Sequence, residues 1–277
     1  MSWPLFQSAC LVVLAFAYAW SIAHAPDRRR AIIEIALVFV AAWAAEETAI
    51  VRYRFYAYPD AWWGKLDEMP LLVAAIWPMV VLSSRALVDV FFPRASTAVR
   101  ALAVGVAVVI DATLVESIAV AAGLWGWVEG GYLGVPLIGL FGWGAFAASM
   151  TFALDRISRR SGPRPLVALA TVLGALAGTH ALLVAGWWLF FRHALRAELP
   201  SWTVGLVAAA LVALGLHLRR RGRLPIALVV PRVAATSVFV VLLVVNARLG
   251  LVVHFAAVAV MYLTLLRWPA FGALRDR

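Results

Sequence analysis

Four carboxylic acids sit within or at the ends of long apolar runs: Glu46 and Glu47 close one run, and Asp111 and Glu116 lie inside another. Ionisable side chains in such surroundings are costly, and they face a cavity, a partner or a functional path. A carboxyl group in an apolar pocket can hold a proton near neutral pH and deliver it as a general acid. Each acid also has a plain structural explanation. Glu46 or Glu47 can pair with Arg52 or Arg54 at an interface, and adjacent helical residues point about 100° apart, so only one of the two need face a bundle interior. Asp111 and Glu116 are about 140° apart in helical projection and form no carboxylate pair on one face. Asp111 can equally be neutralised by an arginine elsewhere, which leaves Glu116 the stronger candidate for chemistry. Glu34 and Asp89 lie towards the other ends of their runs and suit packing or pairing.

Aromatic residues gather near the same acids. Tyr53, Phe55, Tyr56, Tyr58, Trp62, Trp63 and Trp77 follow the Glu46 and Glu47 pair; Trp125, Trp127, Tyr132 and Trp143 follow Glu116. An interfacial aromatic belt accounts for most of them. A belt has two sides, however, and the side carrying Phe91, Phe92, Trp268 and Phe271 is poorer. Acids and rings together on one side suggest a site there. His24, His180, His193, His217 and His254 include no short-spaced pair, so metal catalysis is disfavoured. His180 and His254 read as hydrogen-bonded structural histidines. No glycine-rich phosphate loop, dinucleotide fingerprint or Ser-x-x-Lys nucleophile appears, and no cofactor is implied.

The elements that must position these groups follow from composition. Of 277 residues, 65% are apolar and 14% charged, and the mean hydropathy is +0.93, values that place the bilayer as the main solvent. Apolar runs fall at about 5–25, 31–47, 70–92, 101–123, 135–154, 166–191, 201–218, 226–246 and 249–266, each near the ~20 residues a helix needs to cross a membrane. The reading is all-α, a single polytopic integral membrane helical bundle of about 8–9 transmembrane helices over residues 1–277. Pro231, Arg232 and Arg248 leave open a broken helix in the last two runs. The net charge of +10 comes from short clusters between runs rather than one amphipathic face, so no nucleic acid partner is expected. A single cysteine, Cys10, offers no disulfide framework.

The first run ends in "SIAHAP" but is followed rather than preceded by Arg28, Arg29 and Arg30, the reverse of a secretory signal. It reads as a retained helix with its N-terminus outside. Connections after runs 1, 3, 5 and 7, with the tail, carry Arg28, Arg29, Arg30, Arg94, Arg100, Arg156, Arg159, Arg160, Arg164, Arg219, Arg220, Arg221, Arg223, Arg267, Arg275 and Arg277. The other connections carry Arg52, Arg54, Lys65, Arg192, Arg196 and Arg248. Cytoplasmic loops are the Lys/Arg-rich ones, so the expectation is a bacterial inner (cytoplasmic) membrane with the C-terminus in the cytoplasm. Asp60, Asp67, Glu68 and Glu129 then fall in outer connections, as do most of the rings.

The blocks "EETAIVRYRFYAYPDAWWGKLDEMPLLVAAIW" (46–77) and "ESIAVAAGLWGWVEGGYLGVPLIGLFGWG" (116–144) resemble the two signature regions of the membrane carotenoid biosynthesis family that includes the hydratases of the bacterioruberin and gamma-carotene pathways. Tyr58, Pro70 and Trp77 fit the first pattern, an early Glu followed by tyrosines, a Val-Pro turn and a later Trp. Trp125, Trp127, Tyr132, Gly134, Val135, Pro136, Gly142 and Trp143 match the second in order. The likeness covers about a third of the chain. Glu116 and Ser117 stand where the family has Asp-Pro, Gly139 stands in place of Asn, and "AIVRYRF" replaces a longer Gly-rich part.

The resemblance implies a carotenoid hydratase-like lyase acting on a lipophilic carotenoid or isoprenoid within membrane lipid. Water is added across a terminal double bond after protonation to a tertiary carbocation. Glu116, Glu47, Glu46 or Asp111 would supply the proton. Tyr58, Trp77, Trp125, Trp127, Tyr132 and Trp143 would wall the substrate site, since ring faces attract a cation. If water is excluded the same cation closes a ring, and the protein is a cyclase. The competing class is a non-enzymatic lipid-binding or transport protein, with Arg85 and Arg232 serving a proton-coupled path. "GALAG", Gly174 to Gly178, reads as a tight helix contact. If the site exists, Glu116 and at least one of Glu46 and Glu47 line one elongated apolar cavity with Trp125 or Trp143.

Overall fold

The computed structural model describes residues 2–128, 130–158, 165–194 and 199–266. Glu129, Arg159, Arg160, Arg164, Arg196, Arg267, Trp268, Phe271, Arg275 and Arg277 lie outside the described residues. Among the described residues, nine long helices follow the nine apolar runs: α1 (Trp3–Ala23), α2 (Arg28–Thr48), α3 (Leu71–Phe91), α4 (Thr97–Ala121), α5 (Leu137–Ala153), α6 (Pro165–Gly186), α7 (Trp202–Arg219), α8 (Ile226–Val245) and α9 (Leu249–Leu265). Seven are long and apolar enough to cross a bilayer; α2 and α9 are not among them. The reason is local: α2 has three arginines and three glutamates in 21 residues, and α9 has only 17 residues. The result is an all-α polytopic membrane bundle.

Helix starts follow local chemistry. Asp27 and Ser96 cap α2 and α4 by accepting from the backbone N–H groups of Arg30 and Val99. Pro70, Pro136 and Pro225 sit immediately before α3, α5 and α8 in extended backbone, a conformation that proline's fixed φ favours. Single π-helical turns follow α2 (Ala49–Tyr53), α5 (Leu154–Ser158) and α6 (Trp187–Phe191). The α8 helix continues through Pro231. The Ala227 carbonyl, which loses its helical donor to that proline, accepts instead from the Trp20 indole of α1 at 2.9 Å.

Hydrocarbon gives helices no apolar reason to associate, so small residues that allow close backbone approach set the crossings. On α4 and α5, Gly105 and Gly144 face each other: a Cβ at Gly105 would come within 2.9 Å of the Gly144 carbonyl oxygen. Gly178 of α6, the second glycine of "GALAG", lies against Ser149 of α5, and Gly215 of α7 against Met261 and Thr264 of α9. Gly174 is exposed, so only one end of that motif makes a close contact. Leu166, Leu173, Leu182 and Trp188 form part of an apolar outer surface on α6 and its π turn, as lipid requires.

The bundle ends differ. At one, Arg30, Glu34, Arg85, Asp155, Arg100 and Asp89 form a continuous ladder of ion pairs joining α2, α3, α4 and the π turn after α5. At the other, the 54–70 and 122–136 connections fold together over the helix ends. Trp3 at the start of α1 packs on Trp62 there, with ring centroids 5.5 Å apart. Gly250 at the start of α9 meets Leu133 at the same end, while Leu224 and Leu266 pair at the ladder's end of α7 and α9.

Candidate functional site

Two short β-ladders and one tight left-handed turn shape the cap. Strands Tyr56–Ala57 (β1) and Gly126–Trp127 (β4) pair antiparallel with Tyr56 opposite Trp127; Lys65–Leu66 (β2) pairs with Met69–Pro70 (β3). The Val128 N–H donates to the Phe55 carbonyl and extends the first ladder. Trp62 donates its indole N–H to the Leu124 carbonyl at 2.8 Å, tying the two connections together again. Gln7, fully buried on α1, holds the Ala61 carbonyl and the Trp63 N–H. In "YLGVP", Leu133 and Gly134 both have positive φ, 51° and 88°. Tyr132 and Val135 exchange backbone hydrogen bonds across them, the geometry of a tight hairpin turn.

Under this cap Glu116 and Glu46 line one recess. Glu116, on the last turns of α4, is 4% exposed and accepts from three indole N–H groups. Trp125 and Trp127 reach Oε2 at 2.7 and 3.0 Å, and Trp143 of α5 reaches Oε1 at 2.6 Å. Glu46, on the last turn of α2, accepts from the Trp77 indole of α3 at 3.1 Å and is hydrogen-bonded to the Tyr56 hydroxyl. The rings join the two carboxyls: Trp77 and Trp143 lie 4.4 Å apart by centroid, Tyr56 and Trp127 4.6 Å. Tyr58 stands behind, edge-on to Tyr56 and Trp125. Burial, then the neighbouring Glu46 and Glu116, push its phenol well above the usual tyrosine value, so it stays a neutral hydroxyl.

Gly139 has a physical reason in its packing. A Cβ there would come within 2.6 and 2.7 Å of the Trp127 ring. The bare backbone of α5 lets that indole lie flat and turn its N–H to Glu116. The inner recess holds about 60 Å³, room for a few water molecules or the tip of a chain. Thr179 and Leu183 of α6 complete it, and the Thr179 hydroxyl is engaged with the Ala175 carbonyl.

Of the candidates from sequence, Glu46, Glu116, Trp77, Trp127 and Trp143 line the recess, and Trp125 reaches it through its indole N–H. Three others are placed elsewhere. Glu47 points the other way round the helix and accepts from the Met69 N–H at 3.0 Å, pinning β3. Asp111 belongs to a separate buried group, bound by Arg232 of α8 and by the Tyr262 hydroxyl at 2.9 Å, with Ser84 beside them. Tyr132 turns to His254, 3.0 Å from Nδ1; its phenol is pushed up to about 12 by burial. Thr113 donates to the Ile110 carbonyl and so accepts from His254 Nε2. His180 is paired with Tyr53. Glu34 and Asp89 pair with Arg85 and Arg100.

The residues that sequence reasoning did not assign to the site include Tyr56, Phe55, Gly139, Phe146 and the α6 wall. Tyr56 had a signal: in extended backbone it shares a face with Tyr58, two residues on. The α6 wall had none, being apolar among apolar residues. Among the described residues, no three of His, Cys, Asp and Glu converge as metal ligands. Compared with protein-family models, with curated proteins and with solved structures, the chain matches none.

Proposed function

We propose that this protein is a membrane enzyme of carotenoid or related isoprenoid metabolism that adds water to the terminal double bond of an acyclic chain. The observation that carries the reading is the convergence of Glu46 and Glu116 on one aromatic recess. Donor counting divides the work between them. An indole N–H can only donate, so the three indoles facing Glu116 suit an ionised carboxylate. Glu46 faces one indole and the phenols of Tyr56 and Tyr58, and a phenol can accept as well as donate, so Glu46 can carry a proton.

In this mechanism Glu46 gives its proton to the less substituted alkene carbon, leaving a tertiary cation. Faces of Trp77, Trp127 and Trp143 stabilise it, each by about 0.5–2 kcal/mol when well placed. A water molecule adds to the cation and releases a proton to Glu116, so the product gains one water. The recess then passes that proton back to Glu46. Its small volume favours hydration over cyclisation, because ring closure requires the chain to fold back beside its own tip.

We further place all nine helices across a bacterial inner membrane, with the capped end outside. The clustering of arginines in the connections after α1, α3, α5 and α7 supports that orientation. The placement of the start of α1 and the end of α9 at opposite ends of the bundle supports an odd number of crossings.

Expression in a lycopene-producing host with mass analysis of the pigments tests the reaction. The expected product is heavier than its precursor by one water. An isomer of equal mass indicates cyclisation, and no new pigment from any acyclic carotenoid supplied overturns the assignment. Glu46→Gln is expected to lower product formation by about 10²–10⁴-fold, the usual range for a general acid, with the protein still inserted and folded.

A further inference from the structure

The recess at Glu46 and Glu116 does not close on itself. Phe55, Ile138 and Leu183 border both it and a second recess of about 330 Å³, whose far side is Tyr53, Trp187 and Trp188. The two recesses adjoin at these three shared side chains. The outer one opens between α6 and the 53–57 segment. At the mouth Trp188 is 60% exposed and Leu189, next to it, 82%. Both belong to a helical segment long and apolar enough to cross a membrane, and their exposed side chains suit lipid. The Tyr53 hydroxyl, in the outer recess, is paired with His180 Nδ1 at 3.0 Å.

Two adjoining apolar recesses with the carboxyls in the inner one suit a ligand with a long hydrocarbon body and one reacting tip. We propose that the two recesses open into one path past Phe55, Ile138 and Leu183, and that this path holds the tail of an isoprenoid chain that enters tip-first from the surrounding bilayer. Its terminal double bond lies at Glu46 and Glu116, and the remainder leaves past Trp187 and Trp188 into the leaflet at that end. The identity of the ligand rests on the reaction proposed above; the path itself does not. The inner recess is too small for more than the tip, so the protein recognises the last isoprene unit and tolerates different far ends. Ile138 and Leu183 form the waist that decides which chain widths pass.

Photolabelling of the full-length protein in membranes tests this without requiring turnover. The probe is a geranylgeranyl ether with a diazirine at the end remote from its terminal alkene, beside a phosphatidylcholine with a diazirine in one acyl chain. The isoprenoid probe is expected to label residues 183–191 saturably, with squalene competing. Leu183→Trp, which fills the waist, and Val184→Trp, at the more exposed outer wall, should each reduce that labelling at least tenfold. Leu182→Trp, on the exposed face of α6, should not. The phospholipid probe should label the same peptide without saturation.

Saturable phospholipid labelling that squalene does not displace would make the path an acyl-chain site and overturn the proposal. So would isoprenoid labelling unaffected by both plugs. Labelling as expected with no hydrated pigment would leave the path standing and remove the reaction. Hydrated pigment that survives both plugs would do the opposite.

Discussion

Both oxygens of Glu116 accept from indole nitrogens, and an indole has no acceptor with which to adapt if its partner changes. Glu116→Gln therefore presents an amide NH2 to at least one donor. The expected outcome is a protein that loses both hydration and thermal stability, whereas Glu46→Gln loses hydration alone; unfolding in detergent beside pigment yield separates the two. The glycines of α5 make a second contrast. Gly139→Ala drives a Cβ into the Trp127 ring, and overpacking of this kind costs about 1–3 kcal/mol. Gly142→Ala meets only Leu183, at an ordinary 3.6 Å, and is expected to unfold no earlier than the parent. Equal unfolding temperatures for the two alanine variants would show that Trp127 does not depend on the bare backbone at 139.

At the scale of elements, α4 carries two polar sites on different faces. Glu116 serves the capped recess, and Asp111 joins Arg232 of α8 and Tyr262 of α9. Removing one partner of a buried ion pair leaves an uncompensated charge, at a cost of about 3–5 kcal/mol. Asp111→Leu should be destabilised on that order, and Asp111→Leu with Arg232→Met should recover most of the loss, as measured by thermal unfolding. A double variant no more stable than the single one would count against the pairing. This separation explains what could be read in advance. The helices were legible because apolar runs of span length leave few alternatives in lipid. The indoles around Glu116 were legible because they follow it within one connection and helix. Arg232 lies 121 positions from Asp111, and no local pattern announces a contact that only the bundle creates. Glu46 and Glu47 were indistinguishable for the opposite reason: adjacent on one turn, they differ only in which neighbour each meets.

For the whole molecule, the capped end joins α1, both connections and the tips of α2 to α5, while the ion-pair ladder holds the far end. The lone cysteine, Cys10, is buried, which makes cysteine accessibility a clean measure of orientation. Asp60→Cys in intact cells should react with a membrane-impermeant maleimide, and Arg221→Cys only after lysis; the reverse pattern would invert the topology. The placement of the inner recess has a consequence in time as well as in space. All its lining residues lie between Ala42 and Leu183, so the ribosome has made every one of them before α7, α8 and α9 are synthesised. An acid exposed to lipid is costly, and here the indoles that shelter Glu116 leave the ribosome within the following helix and connection. A nascent chain arrested after α6 should already protect a cysteine placed at Glu116 from a membrane-permeant thiol reagent, whereas a chain arrested before α5 should not. That outcome would mean that the last three helices arrive at a recess whose acids are already enclosed.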